Sequence, residues 1–190
     1  SVRSLILLNT YEMYWNIGAD ALRKRILDEY KSYWNEERLA LAKGLNLSPL
    51  EVSVLASIVQ KETAKTDEMA SVAGLYINRL NQGMRLQSDP TVIYAKKLKE
   101  GFDIEVSRVL YADLEIESPY NTYRNAGLPP APITIPTMQA LNGVLHAQKH
   151  EYIFMCADPD KPGYHSFAAN MQQHSINKKK YVKWLNENNI

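Results

Sequence analysis

The chain has 190 residues, of which 45% are hydrophobic and 23% are charged. Those proportions are ordinary for a folded protein, and the length suits one domain, or one domain with a small appendage, with a substantial core. Its 22 Lys and Arg nearly balance its 21 Asp and Glu, which leaves a formal net charge of +1. Without a broad basic surplus, nothing in the composition indicates a nucleic-acid-binding protein.

The single cysteine, Cys156, excludes an intrachain disulfide without fixing the compartment. It lies in an apolar run and is predicted to be a small buried hydrophobic residue. His and Cys do not recur at the spacing of a structural zinc site, and no lysine accompanies a phosphate-binding glycine loop. The sequence therefore indicates neither a metal nor an organic cofactor.

Helical periodicity dominates the first half of the chain. Apolar residues spaced by three and four predict one amphipathic helix over residues 21–43, which Gly44 ends. The pattern Ser-Pro-Leu-Glu at 48–51 is the signature of a capping box, and it predicts a helix that runs to about residue 63.

Two further helices are predicted from aspartates at cap positions. Asp67 is expected to cap a helix that ends at Gly83, since the intervening apolar residues follow helical spacing. Asp89 followed by Pro90 repeats the signal and predicts a short helix to about residue 99.

The second half of the chain reads as a loop, a hairpin and two helices. Residues 101–133 are rich in turn-forming residues, and a helix is predicted from Pro136 to about His146. Segments 152–157 and 164–168 predict short antiparallel strands, and a last helix follows over about residues 175–188. The predicted fold is α+β, mainly helical, with a small antiparallel sheet.

Glu62 is the first candidate for chemistry. Counting back by three and four residues reaches Val59 and Ile58, which belong to the buried stripe of the predicted helix. The carboxyl should therefore project from the apolar face, where desolvation raises its pKa as a general acid requires. The alternative is a structural carboxylate that pairs with Lys61 or Lys65, and spacing alone favours that alternative.

Three other segments carry groups suited to a sugar. Residues 83–91 lead from a glycine turn into Asp89, and their amides and hydroxyls could bind sugar hydroxyls or simply cap a helix. Residues 118–123 place two tyrosines around an asparagine in a proline-stiffened loop. His165 on the second predicted strand could orient a carboxyl or a substrate group, although a structural histidine is the commoner case.

In order along the chain, these segments resemble one family. Gln-Lys-Glu-Thr at 60–63, Tyr-Ile-Asn-Arg-Leu at 76–80 and the long run at 83–94 are similar to motifs of the endolytic murein transglycosylases, the YceG-like family. The segments 118–123 and 165–167 match as well, and the resemblance extends from about residue 9 to the C-terminus.

The resemblance implies an activity and a location. Members cleave the bond between N-acetylmuramic acid and N-acetylglucosamine in nascent glycan strands, leaving 1,6-anhydro ends that terminate elongation. They are anchored in the cytoplasmic membrane by one N-terminal helix, with a LysM-like part and the catalytic part on the extracytoplasmic side. We therefore expect an excised fragment: residues 1–18 as a lead-in, a possible remnant of that upstream part, and 19–190 as the catalytic domain. The expected partners are peptidoglycan strands and the cell-wall synthesis machinery.

The resemblance also places the family's catalytic glutamate on Glu62. A single carboxyl is enough for this reaction, since the nucleophile is the muramoyl group's own hydroxyl. The expected substrate-binding residues surround that acid, either holding the sugar, forming apolar walls or lying near the cleft: Gln87, Ser88, Asp89, Tyr94, Tyr120, Asn121, Tyr123 and His165.

Three alternatives remain open. A hydrolytic muramidase would need a second carboxyl or a held water, for which Glu68 and Asp89 are the nearest candidates in the sequence. A non-catalytic wall-binding module would bind murein without cutting it. The domain could also depend for its activity on the upstream LysM-like part.

Overall fold

The structure is a computed structural model that describes Leu7 and residues 15–188. Two helices lie at the start of this part of the chain. Helix α1 spans Ala19–Tyr33 and α2 spans Glu36–Gly44. The prediction of one helix over 21–43 is wrong, because the chain leaves helical geometry at Trp34 and Asn35 caps a new helix by accepting a hydrogen bond from the Arg38 amide. The lead-in over residues 1–18 lies largely outside the described residues.

Helix α3, Pro49–Glu62, is the centre of the core. Its predicted capping box is confirmed: Ser48 Oγ accepts from the Glu51 amide at 3.3 Å, and Glu51 accepts from the Ser48 amide at 2.8 Å. Every residue from 52 to 59 is buried. Among the described residues no single helix is long and apolar enough to cross a membrane, while α2 and α3 together reach that length and composition with a 74° bend between them.

Helices α4, Met69–Asn81, and α5, Asp89–Glu100, are present as predicted. The aspartates predicted to cap them do not do so. Neither Asp67 nor Asp89 caps a helix, so both cap predictions are wrong. Instead, each carboxylate accepts a hydrogen bond from a tyrosine hydroxyl, Asp67 from Tyr164 and Asp89 from Tyr123. Partners distant in sequence have replaced the local caps.

The C-terminal elements complete the fold. A 3-10 helix, Tyr111–Glu115, interrupts the predicted loop, and α6 spans Met138–Leu145. Strands β1, Phe154–Ala157, and β2, His165–Ala168, form an antiparallel hairpin in which Ala157 lies opposite His165. Helix α7, Met171–Glu187, begins four residues before the prediction because Asn170 caps it. The mainly helical α+β prediction is confirmed.

The core is formed where α3, α4 and α6 pack together. Its largest fully buried side chains include Leu55 and Ile58 of α3, Tyr76 of α4 and Leu141 of α6. Leu86, in the extended segment between α4 and α5, is fully buried as well. This packing brings the end of α3, the middle of α4 and the segment before α5 to one place beside the hairpin.

Candidate active site

Glu62 is the last residue of α3, and its two carboxyl oxygens have different surroundings. Oε1 accepts hydrogen bonds from the hydroxyls of Tyr76 and Ser88, at 2.5 Å each. Within the described part of the chain, Oε2 receives no hydrogen bond. A proton carried by this carboxyl therefore belongs on Oε2, since Oε1 is occupied as an acceptor.

Both hydroxyl donors are held rigidly. Tyr76 lies at the middle of α4 and is 2% exposed, and Ser88 is 1% exposed. The Ser88 amide donates to Thr122 Oγ1 at 3.0 Å, and the Gln87 amide donates to the Thr122 carbonyl at 3.2 Å. The loop that contains Thr122 therefore fixes the segment before α5 against Glu62.

The pKa of Glu62 is raised above its ordinary value. Burial is the largest cause, because an apolar environment disfavours the ionised carboxylate, and the charge of Asp89 acts in the same direction. The hydrogen bonds from Ser88 and Tyr76 oppose the shift, and a protonated ring of His165 would act in the same direction as they do. No described residue forms an ion pair with Glu62, so the structural alternative of a partner at Lys61 or Lys65 is not what the structure has.

Glu62 faces a cleft of about 230 Å³ between the helices and the hairpin. Four of the predicted site residues line it with Glu62. The full lining consists of Glu62, Leu75, Tyr76, Arg79, Leu86, Gln87, Asp89, Tyr123, Met155, Cys156, Ala157 and His165. Ser88 contacts the cleft through its hydrogen bond to Glu62.

Tyr123 and Asp89 form one rim of the cleft. The Tyr123 hydroxyl donates to Asp89 Oδ1 at 2.6 Å. Burial, followed by the nearby Asp89 carboxylate, raises the pKa of Tyr123, so this hydroxyl keeps its proton. Gln87 adjoins them with a positive φ of 51°, a backbone conformation that is uncommon for a residue other than glycine.

On the hairpin side, His165 is held by a buried carboxylate. Glu68 is 5% exposed and accepts from the His165 amide through Oε1, at 2.7 Å. Its Oε2 lies 2.9 Å from the ring nitrogen Nδ1 of the same histidine. Both oxygens of Glu68 are thereby engaged by His165.

Three predicted site residues do not line this cleft. Asn121 is fully buried, and its side-chain amide donates to the carbonyls of Leu114 and Ile116 at 2.9 Å each. These hydrogen bonds stabilise the loop that contains Asn121. Tyr94 and Tyr120 pack against each other with ring centroids 4.8 Å apart. Tyr94 lines a separate cavity of about 350 Å³.

Sequence reasoning missed two important cleft residues on α4, Tyr76 and Arg79. Tyr76 fits the apolar stripe of the predicted helix and its ring lies in the core, but its hydroxyl reaches Glu62. Arg79 is 8% exposed and donates from Nε to the Ile153 carbonyl at 2.6 Å and from Nη1 to the Leu86 carbonyl at 2.7 Å. Their spacing of three on one helix face was the available signal.

The cleft also includes Cys156, which is half-buried rather than buried as predicted. Burial raises the pKa of its thiol, so it stays protonated. Within Leu7 and residues 15–188, no three His, Cys, Asp or Glu side chains converge in the manner of a metal site.

Comparison with known proteins identifies the family. The sequence model of the YceG-like family matches residues 1–180. The chain belongs to the YceG-like family. The YceG-like chain is 35% identical over 162 residues to a Bacillus subtilis protein named endolytic murein transglycosylase, a match that covers 85% of the chain and 40% of that protein.

Two other similarities agree with this assignment. A protein of Streptococcus pneumoniae with the same name is 36% identical over 140 residues, covering 74% of the YceG-like chain and 25% of the relative. A crystal structure of a yceG-like protein from Listeria monocytogenes superposes with a TM-score of 0.70 at 30% identity, covering 88% of this chain and 52% of that one. The chain thus spans less than half the length of the curated relatives it matches.

Proposed function

We propose that this chain is the catalytic part of an endolytic murein lytic transglycosylase. The observation that carries the proposal is Glu62, a carboxyl of raised pKa that faces a cleft with one oxygen held and the other available. The names of the relatives support the substrate class, since both are called endolytic murein transglycosylases.

The proposed reaction needs one proton-carrying group. Glu62 donates its proton from Oε2 to the oxygen between N-acetylmuramic acid and N-acetylglucosamine, and the bond from that oxygen to the muramic C1 breaks. The substrate N-acetyl group assists at C1. The Glu62 carboxylate then takes the proton of the muramic C6 hydroxyl while the oxygen of that hydroxyl bonds to C1. This step closes the 1,6-anhydro ring and restores the protonated Glu62. One positioned acid/base group contributes about 10²–10⁴-fold in rate.

Tyr76 and Ser88 serve both halves of this cycle. Their hydrogen bonds hold the carboxyl in one orientation while it is neutral, and they stabilise the charge when it has given up its proton. The rim residues Gln87, Asp89 and Tyr123 supply groups of the kind that bind sugar hydroxyls. The remaining rate enhancement comes from holding the sugar ring and its hydroxyl in reactive geometry.

We further propose that the protein acts outside the cytoplasmic membrane, anchored by a single helix, on nascent strands beside the cell-wall synthesis machinery. Support comes from the family to which the chain belongs and from the nature of the proposed substrate. Fractionation of cells that express the whole protein, followed by protease treatment of intact spheroplasts, tests this. Cleavage of the catalytic part from outside is the expected result, and protection from the protease would contradict it.

The deciding experiment compares Glu62→Gln with Glu51→Gln. The first change removes the acid from the end of α3, and the second makes the same substitution at its start, where Gln still fits a capping box. With purified murein, E62Q should release no anhydro-muropeptides while its circular dichroism stays unchanged, and E51Q should retain normal release. Product from E62Q at the normal rate would overturn the assignment.

A hydrolytic muramidase is the second candidate, because Asp89 lines the same cleft as Glu62 and provides another carboxyl. The other predicted carboxyl, Glu68, is bound to His165. Mass spectrometry of the product ends separates the two reactions, since hydrolysis leaves reducing ends and the lytic reaction leaves anhydro ends. Murein that is bound but never cut by the active-site-intact protein would instead favour a wall-binding module.

A further inference from the structure

His165 carries its ring proton on a defined nitrogen. An ionised carboxylate only accepts hydrogen bonds, so the contact of 2.9 Å between Glu68 Oε2 and Nδ1 requires a proton on Nδ1. When the imidazole is neutral, its bare lone pair is then on Nε2. The backbone contact from the same residue to Glu68 Oε1, at 2.7 Å, fixes the carboxylate in the orientation that this pairing needs.

His165 lines the cleft that contains Glu62. It is the first residue of β2, and Ala157 opposite it in β1 lines the same cleft. Alternation along the strand puts Phe167 on the same face, where it packs against the core and anchors the hairpin. The histidine is therefore placed by three independent contacts: a carboxylate, a strand pair and a neighbouring core side chain.

We propose that Glu68 is a positioning residue which holds His165 so that Nε2 accepts a hydrogen bond from a hydroxyl or amide N–H of the sugar bound against Glu62. This inference rests on the proposed function, because it assumes a glycan in the cleft. It assigns a sugar-contacting role to the hairpin, whereas Glu62 and its two donors lie on the helical side.

A neutral acceptor suits this position better than a carboxylate. Protonated Glu62 offers a donor from Oε2, and the guanidinium of Arg79 in the cleft wall is a donor only. A second carboxylate beside Glu62 would add negative charge and raise the pKa of the acid further. A neutral imidazole whose Nδ1 donates to Glu68 accepts a hydrogen bond at Nε2 without adding that charge.

Two substitutions separate this role from a structural one. His165→Asn keeps a donor near the Nδ1 position for Glu68 but has no atom at the Nε2 position. Glu68→Gln keeps the shape, yet its amide donates to Nδ1 and transfers the ring proton to Nε2, which converts the acceptor in the cleft into a donor. Asp67→Asn is the matched control, since it changes the adjacent carboxylate, which bonds to Tyr164 on the protein surface.

In the murein assay, H165N and E68Q should each lose about ten- to hundredfold in kcat/KM, as expected when one acceptor towards the substrate is removed. D67N should match the parent protein, and thermal unfolding should show all three variants folded. H165N that turns over at the parent rate would overturn the proposal.

Nitrogen NMR gives a readout that needs no catalysis. With ¹⁵N-labelled histidine, the signals of His165 should show a protonated Nδ1 and a bare Nε2, and E68Q should reverse them. In the uncleaving E62Q background, soluble murein strands should shift the Nε2 signal of His165. A ring protonated at Nε2 in the parent protein would refute the proposal. An Nε2 chemical shift that stays unchanged at a saturating concentration of strands would refute it as well. Absence of cleavage by the parent protein would count against the proposed function alone.

Discussion

At the scale of single residues, the cleft is organised by hydroxyls around one acid. Tyr76 and Ser88 both donate to Glu62 Oε1, and each stabilises the ionised form more than the neutral one. Burial has the larger effect, so the pKa of Glu62 remains raised. Burial and the two hydrogen bonds thus shift the pKa of Glu62 in opposite directions, and a substitution can change either one separately.

Tyr76→Phe should move the alkaline limb of the pH–activity profile to higher pH. The proposed reaction begins with protonated Glu62, so activity should fall as pH rises through the pKa of this carboxyl. Loss of the Tyr76 donor leaves the carboxylate less stabilised and raises that pKa further. Rates of anhydro-muropeptide release measured across pH check this, and a limb that moves to lower pH would contradict it.

At the scale of elements, local signals were predictable and distant partners were not. The capping box of α3 depends on neighbours three residues apart, and its prediction was confirmed. Asp67 and Asp89 carry the same kind of local signal, but tyrosines 97 and 34 residues away take up their carboxylates. No glycine or proline marks the break at Trp34, which is why one helix was predicted across it.

The candidate site followed the same rule. Helical spacing predicted that Glu62 projects from the apolar face, whereas its choice as the acid came from the resemblance to the YceG-like family. The contribution of Tyr76 was not predictable, because apolar spacing cannot distinguish a ring that only packs from one whose hydroxyl reaches an acid. Asn121 has the chemistry of a sugar ligand but satisfies carbonyls of its own loop.

Gly74→Ala should destabilise the protein, although alanine favours helices by about 1 kcal/mol over glycine. In α4 the added methyl would overlap the Gln148 carbonyl and lie 2.8 Å from His150 Nε2. We expect a net loss of roughly 1–3 kcal/mol in the free energy of unfolding, as in other overpacked sites.

Denaturant titration measures that loss, with Gly44→Ala as the control. Gly44 is the last residue of α2, and a methyl there would meet nothing within 4 Å. This variant should be neutral or slightly more stable. Equal stability of the two variants would show that α4 and the loop after α6 separate easily.

Helix α7 should exchange its amide hydrogens well before α3 does. None of its described residues is buried, and it packs on the small hairpin, whereas α3 is enclosed by α4 and α6. Local opening of such an element needs less free energy than global unfolding. Hydrogen exchange followed by mass spectrometry measures the order, and protection of α7 equal to that of α3 would contradict the expectation.

At the scale of the whole molecule, the acid lowers stability as pH rises. The ordinary pKa of a glutamate is 4.5, and that of Glu62 is raised in the folded state. Below pH 4.5 both folded and unfolded chains hold the proton, so Glu62 has no effect there. Above it, the unfolded chain ionises first, the folded chain binds more protons, and stability declines until the pH passes the raised value.

Glu62→Gln should therefore increase Tm near neutral pH and leave it unchanged at pH 4. A gain of about 2–4 °C corresponds to roughly 1 kcal/mol for a protein of this size. Gln retains an oxygen that can accept from Tyr76 and Ser88, so the parent protein and the variant differ mainly in whether residue 62 can ionise. Scanning calorimetry at both pH values is the measurement, and a Tm difference that is constant with pH would show that ionisation of Glu62 costs no stability.

The unequal oxygens of Glu62 also determine which inhibitors fit the cleft. A guanidinium or amidine binds a carboxylate as a fork and needs both oxygens at once, but Oε1 is already taken by Tyr76 and Ser88. A compact ammonium needs only one oxygen, as does a ring nitrogen placed where the sugar's anomeric carbon would lie. Ligand chemistry for this cleft should therefore favour single-point cations, and selectivity against proteins with an open, two-sided carboxylate follows from the same pair of hydroxyls.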